Sequence, residues 1–151
     1  GHVSIDFSGP KCGCGNRGCI EMYASATAVV RRMKEALKAG ERSGYFKLAD
    51  KMTAEEIYHA AKKGDRLSRK IVDETAVYLG AAIANTINAL DPEVIVLAGG
   101  MAKAGKIFFD KINKAAKERA LKEASEGVRI VPAELGEDAG IIGAAWRAKE
   151  S

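Results

Sequence analysis

Leu67, Ile71, Thr75, Leu79, Ile83 and Ile87 recur every four residues, the spacing of one stripe on a helix running from about Asp65 to Leu90. A neighbouring row, Ala76, Gly80 and Ala84, is made only of small residues and allows another helix or a strand to approach closely. At about 1.5 Å per residue this helix is roughly 39 Å long and crosses the whole domain. Asp91-Pro92 ends it. Val94-Ile95-Val96-Leu97 is a short unbroken apolar run rich in β-branched residues. It reads as a strand buried on both faces, and so as part of a sheet covered by helices. After the Gly99-Gly100 turn, a helix is predicted from about Ala104 to Ala124, with Ile107, Phe108, Ile112, Ala115, Ala116 and Leu121 inward. Val128 to Val131 reads as a second strand. Asp138 caps a last helix carrying Ile141, Ile142, Ala145 and Trp146, the last a core or interface anchor.

Upstream, the pattern turns helical at Ile20, with Ser25 as N-cap, Ala28, Val29, Met33, Ala36 and Leu37 inward, and Gly40 as the stop. Residues 41–52 read as a loop anchored by Tyr45, Phe46 and Leu48. Thr53 with Glu56 is a capping box opening a helix that ends near Gly64. Residues 1–19 are rich in Gly and turn signals, with a short strand predicted at Val3–Phe7. The order is helices, strand, helix, strand, helix, which is an α/β arrangement with right-handed crossovers. Two clear strands are few for a sheet, so either the N-terminal segment supplies more or the chain is a fragment.

Composition narrows the function classes. At 151 residues, 47% hydrophobic and 29% charged, the chain has the make-up of one globular domain rather than a disordered, collagenous or disulfide-dense protein. No apolar run approaches the roughly 20 residues that span a bilayer, and the opening Gly-His-Val-Ser-Ile-Asp is no secretory signal. Lys plus Arg is 24 against 20 Asp plus Glu, a net charge of +4. Between Lys103 and Lys122 lie six Lys and one Arg against Asp110 and Glu118. With few aromatics to stack on bases, this stretch reads as a solvated helix face rather than a nucleic-acid platform.

The chemistry gathers at the start of the chain. Cys12, Cys14 and Cys19 fall within eight residues. An odd count so packed is no disulfide framework, and it points to a reducing, cytoplasmic setting and a metal site. With His2 the set becomes Cys3His, a common tetrahedral zinc set made wholly of protein ligands and hence structural. Gly13 and Gly15 let the backbone turn the thiolates inward. Glu21 follows Cys19 by two residues. Fixed beside His2, its carboxylate suits hydrogen bonds from the hydroxyls of a polyol. Gly99-Gly100, after a buried strand, is where α/β proteins bind ligands, although it forms neither a complete dinucleotide fingerprint nor a Walker A motif.

Gly1-His2, Gly9-Pro10 and the run from Cys12 to Glu21 (Cys-Gly-Cys-Gly-Asn-Arg-Gly-Cys-Ile-Glu) resemble the zinc signature of the ROK family of bacterial sugar kinases and repressors. The run from Asn85 through Asp91-Pro92 to Gly99-Gly100, and Asp138-Ala139-Gly140-Ile141-Ile142-Gly143-Ala144-Ala145, are similar to that family's long helix, adenosine-side strand and C-terminal helix. Ala98 stands where the family usually has a further glycine.

The resemblance implies an actin-like, ribonuclease-H-like ATPase lobe: a mixed sheet covered by helices, with a zinc-binding loop. It implies phosphorylation of a hexose, glucose above all, by ATP with Mg2+. In that reading His2 ligates zinc and touches the sugar, Glu21 contacts sugar hydroxyls, and Gly99 and Gly100 lie against the adenosine. The general-base Asp, the glycine-rich phosphate loops and a further sugar-binding Glu are expected upstream of Gly1. The expectation is therefore the C-terminal lobe of a glucokinase-type enzyme, inactive without its N-terminal lobe and inclined to form homo-oligomers. The alternative is the effector-binding half of a ROK repressor.

Overall fold

The computed structural model describes residues 1–49, 51–98 and 104–150. Its first helices are α1 (Glu21–Ala24) and α2 (Ala26–Lys38). The helical pattern predicted from Ile20 is thus cut at Ser25, which is extended (φ −66°, ψ 159°) and whose Oγ accepts the Ala28 N–H at 3.1 Å. Gly40, at φ 92°, ends α2. Its N–H reaches the Leu37 carbonyl at 3.1 Å, and the Glu41 N–H reaches that of Ala36 at 3.0 Å, which closes the orphan carbonyls of the last turn.

Helix α3 (Ala54–Lys62) opens with both halves of the predicted capping box, Glu56 N–H to Thr53 Oγ1 and Thr53 N–H to Glu56 Oε2. It closes as α2 does, with Gly64 N–H on the Ala61 carbonyl and Asp65 N–H on that of Ala60. The same Asp65 then caps α4 (Arg66–Leu90). Its carboxylate is buried and accepts from the Ser68 N–H (2.9 Å), the Ser68 hydroxyl (2.6 Å) and the Gly44 N–H (2.8 Å). Burial, the largest single influence, pushes this carboxyl up, but the hydrogen bonds from Ser68, Gly44 and Ser43 together outweigh it and hold the group below the usual carboxylate range.

Helix α4 is the spine. Leu67, Ile71, Thr75, Ile83 and Ile87 are buried, as their spacing predicts, and Leu79 is half-buried. Thr75 is satisfied by donating to the Ile71 carbonyl at 2.7 Å. Against this stripe pack Val29 and Met33 of α2, Ile57 and Tyr58 of α3, and Phe108, Ile112 and Ala116 of α5 (Lys106–Lys117). The small-residue row proves to be the crossing point with α5. A Cβ on Gly80 would sit 2.5 Å from the Ala115 Cβ and 2.9 Å from the backbone at Ala115 and Ala116.

Strands β1 (Val94–Leu97) and β2 (Arg129–Pro132) pair in parallel, Val94 with Arg129 through Leu97 with Pro132. The connection between them carries α5 and the short α6 (Lys122–Ser125). Among the described residues the expected mixed sheet is thus a two-stranded parallel one, because strands joined through a helical crossover run the same way. Nor is it covered on both faces. Ile95, Leu97 and Ile130 join the core, while Val94 and Val96 alternate outward and Val96 is 55% exposed.

Other expectations also change. Val3–Phe7 forms no strand, only an isolated antiparallel bridge from Ser4 to Cys19. The predicted 104–124 helix breaks after Lys117, and Leu121 turns out to solvent with its N–H on Asn88 Oδ1 at 2.8 Å. Ile107 is 75% exposed because it shares a helix face with Lys111 and Lys114 rather than with Phe108 and Ile112. After a 3-10 turn at Gly136–Asp138, α7 (Ala139–Glu150) leaves Ile141 and Trp146 exposed, so Trp146 is no core anchor in this chain. Among the described residues no helix is long and apolar enough to cross a membrane.

Gly80→Val forces a branched side chain into backbone, so it should destabilise by about 3 kcal/mol, read as a lower urea midpoint with unchanged slope. Asp65→Ala should cost about 1–2 kcal/mol through the lost cap. Because the folded Asp65 carboxyl titrates below its unfolded value of about 3.9, its contribution is complete above that pH and disappears as pH falls through the folded value. Acid denaturation curves of Asp65→Ala should therefore be flatter below about pH 4 than those of the parent chain.

Candidate functional site

Residues 1–20 fold with scarcely any apolar interior, held by a mesh of backbone hydrogen bonds: Ile5 N–H to Gly18 O, Ile20 N–H to Val3 O, Gly18 N–H to Pro10 O and Cys12 N–H to Asn16 O, each 2.8–2.9 Å. Gly18 is required by space and by backbone geometry. At φ 62°, a Cβ would lie 1.6 Å from the Asp6 carbonyl oxygen.

This mesh brings together His2, Cys12, Cys14 and Cys19, whose ligand atoms all lie within 4.8 Å of one another. Cys12 Sγ is 3.5 Å from His2 Nδ1, and Cys14 Sγ is 3.6 Å from Cys19 Sγ. A tetrahedral zinc with Zn–S near 2.3 Å and Zn–N near 2.0–2.1 Å has S···S edges of about 3.8 Å and S···N edges of about 3.6 Å. The donor set fits that ion in kind, number and spacing. Cys12 and Cys19 are buried, whereas His2 and Cys14 are exposed. Burial, then the hydrogen bonds with Cys14 and Cys12, push the Cys19 thiol up to about 11. The Asn16 backbone N–H, then Cys12, draw Cys14 down. Three sulfurs this close cannot all ionise without a cation among them, and a divalent metal supplies that charge.

The cluster is seated on the core through α1 and α2. Glu21 opens α1 with its N–H on the Gly1 carbonyl at 2.9 Å, and its carboxylate lies against Gly1. The structure therefore brings Glu21 beside the Gly1-His2 segment, its side chain exposed. Tyr23 donates to Asp6 Oδ2 at 3.0 Å and stacks at a tilt on Tyr78 of α4, ring centres 4.6 Å apart. Burial first, then Asp6, raise the Tyr23 phenol and keep it a donor. Arg32 of α2, nearly buried, clamps the assembly. It donates to the carbonyls of Tyr23 (3.0 Å) and Ile71 (3.2 Å), to Thr75 Oγ1 (2.9 Å) and to Glu74, and its guanidinium lies over the Tyr78 ring. The sequence pattern does not show this clamp, because its members stand far apart in the chain.

A second feature was also not visible in the sequence. A cavity of about 620 Å³ opens between α3, α4 and the start of α5, lined by Tyr58, Lys62, Arg69, Asp73, Phe108 and Lys111 among others. Tyr58 and Phe108 meet edge to face in its wall at 5.2 Å, and Lys111 pairs with Asp73 across its rim. The segment that follows β1 enters it at Ala104 and Gly105, the latter at φ 93°. Gly99 and Gly100 lie outside the described residues.

Comparison with known proteins agrees along the whole chain. A glucokinase of Halalkalibacterium halodurans is 39% identical over 99% of this chain. The DNA-binding transcriptional dual regulator NagC of Escherichia coli is 34% identical over 89% of it. The chain spans about half the length of the curated glucokinases it matches, 47% in the first case. Among solved structures, a ROK family glucokinase from Streptomyces griseus, in complex with glucose and AMPPNP, superposes on all of this chain with a TM-score of 0.85 at 29% identity. The ROK family model matches residues 1–151, and the chain belongs to the ROK family.

Proposed function

We propose that this chain is the C-terminal portion of an ATP-dependent hexose kinase, with glucose as the substrate and a structural zinc held by His2, Cys12, Cys14 and Cys19. The observation that carries this reading is the four-donor cluster with Glu21 folded against the neighbouring Gly1-His2 backbone. Zinc, when bound, supplies positive charge to three thiolates and rigidity to a loop without a core. With zinc on Nδ1, the imidazole would carry its proton on Nε2 and could donate it to a sugar hydroxyl. Glu21, acceptor-only when ionised, takes protons from one or two hydroxyls. The pair holds a sugar and transfers nothing. The base that deprotonates the attacking hydroxyl belongs to the upstream lobe.

The cavity beside α5 supports the ATP side of the reading. Its aromatic wall suits a purine, and Ala104 and Gly105, on the connection after β1, help line it. ATP would bring Mg2+, which would offset the negative charge of its phosphates. The similarity to NagC favours one alternative, the effector-binding half of a repressor, in which the same sugar contacts would serve sensing.

Metal analysis of the chain purified under reducing conditions should find a single zinc per molecule. Its thiols should stay unreactive until a chelator is added, and Cys12→Ser should abolish the stoichiometry. Joined to the upstream half of its own protein, the chain should show glucose-dependent ATP turnover that the 151 residues alone lack. Glu21→Gln should then raise KM for glucose about 10–100-fold, the worth of one charged hydrogen bond. A restored protein that binds an operator and turns over no ATP would decide for the repressor.

A further inference from the structure

The three sulfurs of the cluster are not equivalent. Cys12 and Cys19 are buried, Cys19 completely, whereas Cys14 is exposed. Their backbone settings differ in the same sense. Cys19 is bridged to Ser4 and follows Gly18, where a Cβ would collide with the Asp6 carbonyl. Cys14 is flanked by Gly13 and Gly15, and a Cβ on either would meet nothing within 4 Å. Cys19 thus sits in a packed wall, and Cys14 on an open turn with room for its side chain to swing.

Cys14 Sγ and Cys19 Sγ are 3.6 Å apart, and a disulfide needs about 2.0 Å. A rotation of the Cys14 side chain on its open turn can supply the difference. The segment between the two turns back at Gly15 (φ 93°) and Gly18 (φ 62°), so its ends already meet. Cys12 is a poorer partner for either. Only Gly13 separates it from Cys14, too short a span for an easy bridge, and its sulfur faces His2 Nδ1 at 3.5 Å. The four-donor metal set therefore contains one favoured disulfide.

We propose that the cluster is a redox-gated metal site: without its ion, Cys14 is oxidised by a hydroperoxide and resolved by Cys19 as a disulfide that shuts the metal out. The Cys14 sulfur, as thiolate, attacks the peroxide; the O–O bond breaks, and the leaving alkoxide or hydroxide takes the thiol's proton. Cys14 is then a sulfenic acid. The Cys19 sulfur attacks it, the S–S bond forms, the S–O bond breaks, and the departing hydroxide leaves as water with the Cys19 proton. Two electrons pass from the two sulfurs to the peroxide. Cys12 and His2, the donors left over, make only half of a tetrahedral set. An ion on the thiolates blocks the first attack, so the two states exclude each other. The gate reaches the neighbouring site through the Glu21 N–H on the Gly1 carbonyl, which depends on the order of this loop. It rests on the zinc reading of the cluster and is independent of whether the whole protein is a kinase or a repressor.

The test compares the reduced chain stripped by a chelator with the same chain reloaded with zinc, each treated with hydrogen peroxide and digested by trypsin without reduction. Cleavage after Lys11 and Arg17 separates Cys12 and Cys14 from Cys19. In the stripped chain, residues 12–17 should be cross-linked to residues 18–31, with fragmentation placing the bridge on Cys14 and Cys12 still open to alkylation. Zinc uptake by that material should fall at least about tenfold and return on adding dithiothreitol. The loaded chain should show no cross-link and keep its zinc, and stripped Cys14→Ser should form no cross-link. A bridge from Cys12, sulfinic acid at Cys14 without a bridge, full zinc uptake by the bridged chain, or equal bridging with and without zinc would overturn the gate. A reduced chain that takes up no zinc at all would instead remove the zinc reading, and the gate with it.

Discussion

The loop of residues 1–20 depends on four side chains converging where there is almost nothing apolar to hold them. It buries Cys12, Cys19 and Ile20 and little else, while the rest of the chain is organised around α4 with a contiguous core. A segment that orders so many residues without hydrophobic burial must offset its conformational entropy in another way, and ligation of one metal ion is a sufficient way. Its close turns follow from the same constraint. Gly18 lets the Asp6 carbonyl pass where any side chain would collide, so that the sulfurs meet at ligand spacing.

That loop does not float. Arg32 links the backbone of α1 to Ile71 and Thr75 of the spine, and the Tyr23–Tyr78 contact adds a packed seam beside it. The orientation of Glu21 and His2 is thereby referred to the helix around which the core is packed. A proposed sugar contact that arises in an exposed loop is in this way given the rigidity of the core.

Much of this was legible in the sequence, for identifiable reasons. The four-residue spacing through Ile87, the Thr53–Glu56 box and the Ser25 cap are local signals, and local physics decided them. The His2 and cysteine set was legible because its members are chemically distinctive and close in the chain. What failed was non-local. Whether Val94 and Val96 are covered depends on what packs outside β1, and an apolar tetrapeptide does not encode that. The break after Lys117 and the outward turn of Leu121 depend on Asn88, 33 residues away. The cavity beside α5 arises from three helices whose angles no pattern states.

Asp65 joins two helices with scarcely a joint between them. Its amide closes the last turn of α3 and its carboxylate opens the first turn of α4, with only Lys63 and Gly64 intervening. Neither helix can fray at this corner without taking the other's terminus with it, so the pair forms one cooperative unit against denaturant. Two walls of the large cavity are made by that unit and persist for as long as the core does.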